Sequence, residues 1–317
     1  MSEISVAVVS WNTRELLQRC LRSFEPEASQ GRVGVWVVDN ASSDGSPQLV
    51  REEFPWVKLL ALEQNIGFGP AVNRVAAATQ SDWVAPCNAD VAARPGALER
   101  LLAAGRAHPE AGAIAPRLLL PDGSSQHSVY PFPTLGFTLM FNLGAYHLHP
   151  ALADRWCLEG GWDPERARAV NWAIGAFLMV RRQAWDSLGG FSEEQWMYAE
   201  DLDFGWRLAK AGWSTWYEPA AGIDHESGAS AEQAWGSDRT TRWMRSTYAW
   251  MLRTRGPLVT RAVGIVNVAG AAARWLAFSL AAVVRPGRWA WKRDSMRAWV
   301  KVHASALGSA AALRAHR

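Results

Sequence analysis

Cysteine is scarce in these 317 residues, and what there is does not pair. Cys20, Cys87 and Cys157 form an odd set without Cys-x-x-Cys spacing. That argues against a disulfide scaffold or a cysteine zinc site and fits a reduced, cytosolic protein. The chain also lacks Gly-x-Gly-x-x-Gly and Gly-Lys-Ser/Thr, which excludes a dinucleotide fold and a P-loop, and it has no Gly-x-Ser-x-Gly to supply an acyl nucleophile. A strand pattern begins at Ile4, so no signal peptide is expected. Acid is missing from one end: from Arg239 to Arg317 fifteen Lys/Arg meet one acid, Asp294, while residues 1–238 carry 18 basic and 29 acidic side chains. Tryptophan is plentiful, with eleven of the 19 lying from Trp196 onward. The chain therefore reads as an acidic body with a basic, Trp-rich tail.

Short apolar runs alternate with helix signals through the first half. Ile4 to Val9, Val33 to Val38, Val57 to Leu62, Trp83 to Asp90 and Ala113 to Leu120 read as strands. Between them come an Asn12-Thr13-Arg14-Glu15 cap opening a helix to about Arg22, a Ser46-Pro47 start, a helix opened by Pro70 and another from Pro95. This alternation predicts a mostly parallel, doubly wound α/β sheet with ligands at the carboxyl ends of its strands. Residues 130–170 are expected to form a lid or acceptor loop within a domain covering 1–238. Further on, Gly175 to Arg181 and Ser214 to Tyr217 read as strands, and helices are expected to Leu188 and over Asp201 to Lys210. In the tail, Ala262 to Val284 is long enough to span a bilayer, but its central Arg274 adds about 2.5–3.5 kcal/mol against insertion. From Arg288 on, Trp289, Met296, Trp299, Val300, His303 and Leu307 make the apolar stripe of an interfacial amphipathic helix beside Arg293, Arg297 and Lys301.

Several polar groups fall where these strands end. Asp39, opening Asp-Asn-Ala-Ser-Ser-Asp-Gly, is either a ligand contact or the anchor of an Asx turn. Asn65-x-Gly67-Phe-Gly-x-Ala-x-Asn73 offers flexible backbone and two amides at a helix start, suited to a phosphate or nucleoside. Asp90, in Asn88-Ala-Asp90, supplies one hard oxygen, which two diphosphate oxygens and waters would complete to an octahedral Mg²⁺ or Mn²⁺ site. Glu200 and Asp201 begin a helix whose dipole keeps a carboxylate ionised. Glu200 reads more as a cap and Asp201 as a base, and Asp203 with Arg207 as a structural i,i+4 pair. His225 is either a hydrogen-bonded structural residue or, as neutral imidazole, a Mn²⁺ ligand, with the Ser227-Gly-Ala-Ser230 loop beyond it.

In this order, Val8-Val-Ser10-Trp-Asn12, the Asp39 to Gly45 loop, Asn65-x-Gly-Phe-Gly, Asn88-x-Asp90, Gly175-Ala-Phe-Leu-Met-Val-Arg-Arg, Glu200-Asp-x-Asp-x-x-x-Arg207 and His225-x-x-Gly-x-Ser230 resemble glycosyltransferase family 2. The subgroup most similar is the bacterial rhamnosyltransferases that extend lipid-linked or cell-wall glycans. The resemblance covers about residues 4 to 230. It implies a GT-A fold, an αβα sandwich, and inversion at the anomeric carbon by in-line displacement from a nucleotide-diphospho sugar. By the same match, Asp39 would meet the base or ribose, Asp90 would be the metal-binding acid of a DXD-type motif, Asp201 the catalytic base and His225 a second metal contact. Ser10, Asn12, Asn65, Gly67, Asn73, Asn88 and Glu200 would line the nucleotide and donor site. The chain departs from the family pattern at Asn88, which stands where DXD has Asp, and at Asn171-Trp172 and Val129-Tyr130-Pro131.

The expected activity is transfer of a sugar, foremost L-rhamnose from dTDP-rhamnose with UDP-linked donors as the alternative, to a lipid-linked or polysaccharide acceptor. It would use Mg²⁺ or Mn²⁺ and act at the cytoplasmic face of the inner membrane, where the tail meets an anionic surface or assembles a homo-oligomer. The competing readings are transfer of another hexose and a sugar-phosphate nucleotidyltransferase. The latter calls for a Gly-rich, basic loop where Ser10-Trp-Asn-Thr13 stands. A nucleic-acid binder is disfavoured, because long Ala/Val/Leu stretches interrupt the basic residues of the tail.

Overall fold

A computed structural model describes residues 2–194, 198–226 and 239–308. The strands are β1 (Ile4–Ser10), β2 (Val33–Asp39), β3 (Lys58–Ala61), β4 (Trp83–Asn88), β5 (Val91–Ala93), β6 (Ala111–Leu119), β7 (Val129–Tyr130), β8 (Arg168–Val170), β9 (Trp172–Ala173), β10 (Met179–Arg181) and β11 (Ser214–His225). The helices are α1 (Arg14–Ser29), α2 (Ser46–Glu53), α3 (Phe68–Ala77), α4 (Ala97–Ala107), α5 (Leu135–Asn142), α6 (Ala145–Leu148), α7 (Pro150–Arg155), α8 (Arg182–Leu188), α9 (Glu200–Lys210), α10 (Arg239–Thr254), α11 (Pro257–Val284) and α12 (Pro286–Ala304). They fall into two compact units. One comprises Met1–Pro131 with Trp162–Gly236, the other Phe132–Gly161 with Ser237–Arg317.

The first unit is a mixed αβα sandwich. Its main sheet runs β3-β2-β1-β4-β10-β6-β11-β5, with β8 also on β11, and β7 pairs separately with β9. β1 to β4 are parallel, as are β6 and β11, whereas β10, β5 and β8 run against their neighbours. Near-continuous Val and Ile in β1 and β2 mark strands buried on both faces. On one face Ile4, Val6, Val8, Val33, Val35 and Val37 pack against Leu17, Leu21 and Phe24 of α1 and Leu98 and Leu101 of α4. Each such burial contributes about 1.5–3 kcal/mol. α3 lies on β1 and β2, and α8 on β4, β6 and β10.

Three differences from the sequence reading have physical causes. α1 begins at Arg14 with Thr13 as its N-cap residue and runs to Ser29 through Pro26, not to Arg22. Asn12 is not the cap: its φ is 51° and its side chain is engaged elsewhere. The strand expected over Ser214 to Tyr217 is the first part of a twelve-residue β11, which continues past an irregularity between Glu218 and Gly222 to His225.

The second unit is helical. It gathers α5, α6 and α7, from the stretch expected as a lid, with α10, α11 and α12 around buried Tyr248, Trp250, Met251 and Val263. α11 is long and apolar enough, by length and composition, to cross a membrane.

Gly205 on α9 tests the packing of the first unit. A Cβ there would lie 2.5 Å from Trp172 Cβ, and Trp172 is anchored by its Nε1–H donating to Pro131 O at 3.1 Å. Alanine gains about 1 kcal/mol of helix propensity, but an overlap on a side-chain root costs about 1–3 kcal/mol. Gly205→Ala should therefore lower the urea midpoint with an unchanged denaturant slope, and an unchanged or raised midpoint would show that α9 yields.

Candidate active site

The strand register builds the site before any side chain is considered. Ser10 lies beside Asp39 and Val9 beside Asn88, so β1, β2 and β4 end together, and Asn40 N–H donates to Ser10 O at 2.8 Å. Chain leaving these strands must satisfy its own polar groups, and short Asn, Asp and Ser side chains do so.

Asp39 is 1 % exposed. One carboxylate oxygen, Oδ2, accepts from Ser42 N at 2.9 Å, closing an Asx turn, while Oδ1 is buried with no protein partner. The Asx-turn reading of Asp39 is thus what the structure shows, with one oxygen holding the loop and the other buried without a protein partner. Asn12 Oδ1 accepts from Ser43 N at 2.8 Å, and Asn12 N donates to Ser42 Oγ, which fastens the turn after β1 to the loop after β2. Asp44 accepts from Arg14 N and from Ser46. These bonds outweigh burial and hold its carboxyl below the usual range.

Asn65 Oδ1 accepts from Gly67 N at 2.9 Å, and Gly67, at φ 89°, leads into α3. Asn73 departs from expectation. Its Nδ2 donates to Phe191 O and its Oδ1 accepts from Phe191 N, so both amide ends tie α3 to the turn after α8 rather than facing a donor. Ser10, fully buried, shares a 3.2 Å hydrogen bond with Thr13.

Asp90 and His225 come together from loops 135 residues apart in sequence. Val91 to Ala93 pairs antiparallel with Ile223 to His225, and Glu226 N donates to Asp90 O at 3.0 Å. Both side chains are about 5 % exposed, and His225 Nε2 lies 3.3 Å from Asp90 Oδ1. That contact is not aligned as a hydrogen bond, and Nε2 is buried without one. His225 Nδ1 is 2.6 Å from Gln126 Oε1, an acceptor, so the imidazole proton sits on Nδ1. In the neutral ring Nε2 then turns a lone pair toward a carboxylate oxygen across one small gap. Two lone pairs so placed suit a divalent cation, with Gln126 fixing the tautomer as an outer partner. Among the described residues no third His, Cys, Asp or Glu joins them. The Ser227–Ser230 loop lies outside the described residues.

Asp201 reaches the same edge through β10. Cys87 bridges to Phe177, and Asn88 N donates to Ala176 O at 2.8 Å. The preceding residue, Gly175, donates its N–H to Asp201 Oδ2 at 3.1 Å, and Leu202 N donates to Oδ1 at 2.8 Å. The α9 start is strained, with Tyr198 and Ala199 both at φ 64°. Burial raises the Asp201 carboxyl above its ordinary value, although those backbone bonds pull it down. Glu200 is 8 % exposed, its Oε2 has no partner, and burial followed by the Asp201 charge pushes it up to about 8. Burial thus pushes both carboxyls of this adjacent pair up, that of Glu200 to about 8, above neutrality. Asp203 and Arg207 form the expected helix pair, Nε to Oδ2 at 2.7 Å.

Three positioning residues carried no clear sequence signal. Asn40 links Gly67 O and Ile66 N at 3.3 Å, Gln126 orients His225, and Gly175 holds Asp201. Asn40 and Gly175 lay inside motifs read for other reasons.

Residues 5–149 match the model of "Glycosyl transferase family 2" and residues 128–308 that of "Glycosyl transferase family group 2". An N-acetylglucosaminyl-diphospho-decaprenol L-rhamnosyltransferase of Mycobacterium tuberculosis is 34% identical over 282 residues, 79% of this chain and 89% of that protein. The Rhamnosyltransferase WbbL of Escherichia coli is 32% identical over 87 residues, 27% of this chain and 32% of that protein. Among solved structures, a mannosyltransferase from Pyrobaculum calidifontis in complex with GDP-Man and Mn2+ superposes with a TM-score of 0.60 at 19% identity, covering 96% of this chain and 87% of that one.

The raised Glu200 carboxyl makes stability depend on pH. Glu200 ionises near 4.5 when unfolded and at about 8 when folded, so between those values the folded state binds more protons and stability falls as pH rises. Glu200→Gln removes this loss. Its melting temperature should exceed the wild-type value by a margin that grows from pH 5 to pH 8, and a constant margin would mean that Glu200 is already ionised at pH 5.

Proposed function

The chain belongs to glycosyl transferase family 2 and is a glycosyltransferase, and from that premise we propose that it transfers L-rhamnose from dTDP-L-rhamnose to a hydroxyl of a lipid-linked or cell-envelope glycan, with inversion. The choice of sugar and acceptor rests on the name of the Mycobacterium tuberculosis relative. The observation that supports the chemistry is the Asp201 carboxylate, fixed by Gly175 and Leu202 N–H groups beside a protonated Glu200.

In this reading Asp201 takes the proton of the acceptor hydroxyl as its oxygen attacks the anomeric carbon. The carbon–oxygen bond to the diphosphate breaks on the opposite face, and the bonding pair leaves with the nucleoside diphosphate. Glu200, neutral, keeps a second negative charge away from the entering oxygen. Asp39 Oδ1 accepts a hydrogen bond from the nucleotide base or ribose, and the Asn65–Gly67 turn approaches the donor with its backbone. Asp90 and His225 would hold Mg²⁺ or Mn²⁺, which fits their opposed lone pairs and would neutralise charge on the departing diphosphate. Transfer to a lipid-linked acceptor would take place on the cytoplasmic face of the membrane.

Asp201→Asn should lower kcat by about 10²–10⁴-fold while calorimetry shows donor affinity within a few-fold of wild type; near-normal turnover would remove Asp201 from the role of base. Calorimetry with Mn²⁺ should rank dTDP-rhamnose above UDP-galactose, UDP-GlcNAc and GDP-mannose, and preference for one of the others would redirect the substrate reading. Chelation with EDTA should stop turnover until Mg²⁺ or Mn²⁺ is restored. Activity that survives full chelation would leave Asp90 and His225 as a structural pair.

A further inference from the structure

The exposed large apolar side chains among the described residues, from Leu135 to Leu307, all belong to the helical unit. On α11 they are Leu258, Ile265, Leu276, Leu280, Val283 and Val284, between 56% and 83% exposed. At 100° per residue they fall within an arc of roughly 100°, a single stripe along the helix.

The opposite side of α11 carries Asn267 and Arg274, both engaged inside the unit, while Arg261 lies exposed beside the apolar stripe near the start of the helix. Arg274 Nη2 donates to Asn142 Oδ1 at 2.8 Å, and Asn142 Nδ2 donates to Asn267 Oδ1 at 2.9 Å. Asn267 Nδ2 then donates to Tyr248 Oη at 3.1 Å, which meets His303 Nδ1 at 2.8 Å. Burial, with the Arg274 charge, pulls His303 down to about 4, so the ring is neutral and accepts from Tyr248. Gly270 lets Asn142 in, for a Cβ there would sit 1.9 Å from Asn142 Oδ1. The network faces inward, leaving the apolar stripe as the outer surface.

Length and composition alone would let α11 cross a bilayer, but its partner would not follow. α12 packs back along α11, from Phe278, whose ring stacks on Trp289 at 5.6 Å, to Gly264, where a Cβ would lie 3.7 Å from His303 O. That stretch is 14 residues, about 21 Å of helix. α12 has no buried residue and carries Arg288, Lys292, Arg293, Asp294, Arg297 and Lys301. A crossing of α11 would take this charged helix through the hydrocarbon with it, and each such charge is strongly disfavoured there.

We propose that the α11–α12 hairpin is an in-plane docking surface for an anionic bilayer, with the α11 stripe sunk into the outer part of one leaflet and neither helix crossing it. Charge identifies the occupant: fifteen Lys/Arg against one acid from Arg239 onward attract anionic headgroups, while the same surface on a second copy of the chain would be repelled. Trp291, 65% exposed with Lys292 beside its ring, is placed as an interfacial anchor. The surface stands on geometry and charge, independent of the sugar assignment, and its test reads lipid binding without turnover.

The full chain should float with vesicles containing 30% phosphatidylglycerol and far less with pure phosphatidylcholine, and Leu276→Glu/Leu280→Glu/Val284→Glu should reduce flotation at least tenfold with an unchanged melting temperature. Orientation is read from Leu258→Cys and Val283→Cys, each labelled with nitrobenzoxadiazole on vesicle-bound protein. Dithionite added outside should quench both labels fully. One label protected and the other quenched would establish a span and overturn the in-plane assignment. Absence of flotation, or a dimer that the triple Glu variant dissolves, would overturn the lipid assignment.

Discussion

A sheet covered by helices on both faces leaves its strand ends as the places where charge can be kept at an edge instead of in the core, and even there every carboxylate must find donors or give up its charge. The first unit answers this constraint differently at each strand end. Asp39 is held by a backbone N–H on one oxygen, Asp90 shares its pocket with an imidazole whose proton points away, and Asp201 is held by two backbone N–H groups. Where donors run out, protonation takes over: Glu200, buried with an unpartnered oxygen, stays neutral beside Asp201. Binding capacity at this edge is what remains after local satisfaction is complete.

The same logic explains what could be read from sequence. Asp39, Asp90 and Asp201 were legible because each terminates or follows a short element, and a polar group at such a boundary stands out against apolar runs. The parallel order of β1 to β4 was legible for the same reason. Asn73 was misassigned because its partner, the Phe191 backbone, lies 118 residues away and nothing local marks it. Gln126 was missed since its role arises only when β11 brings His225 across the sheet, and β11 itself was cut short where its backbone becomes irregular. Nor does a three-residue strand ending in Arg181 announce that β10 is antiparallel between β4 and β6.

In the helical unit, composition treats as separate what the fold joins. Counting apolar residues marks α11 as long enough to span, and a stripe beside charges marks α12 as an interfacial helix, yet the two pack against each other as one hairpin. Tertiary pairing therefore constrains α11 more strongly than its own hydropathy does. The network from Arg274 through Asn142 to His303 adds to this, because it requires a residue from the short α5 to reach the polar side of α11.

The two charge distributions also bear on how anionic molecules meet this chain. Residues 1–238 carry 29 acids against 18 bases, so a nucleotide-diphospho sugar approaches a region of its own sign. Among the arginines of the first unit, Arg181 is engaged on backbone carbonyls of Gly105 and Ala111, Arg182 on those of Ala76 and Ser81, and Arg207 on Asp203. A diphosphate placed beside Asp90 and Asp201 would add charge where burial and the Asp201 charge already push Glu200 up to about 8. In the proposed reading, a divalent cation arriving with the donor would relieve that repulsion without asking the protein to hold a permanent positive group in a buried place. Asp90 and His225, a carboxylate and an imidazole rather than an arginine, would be the groups to hold it.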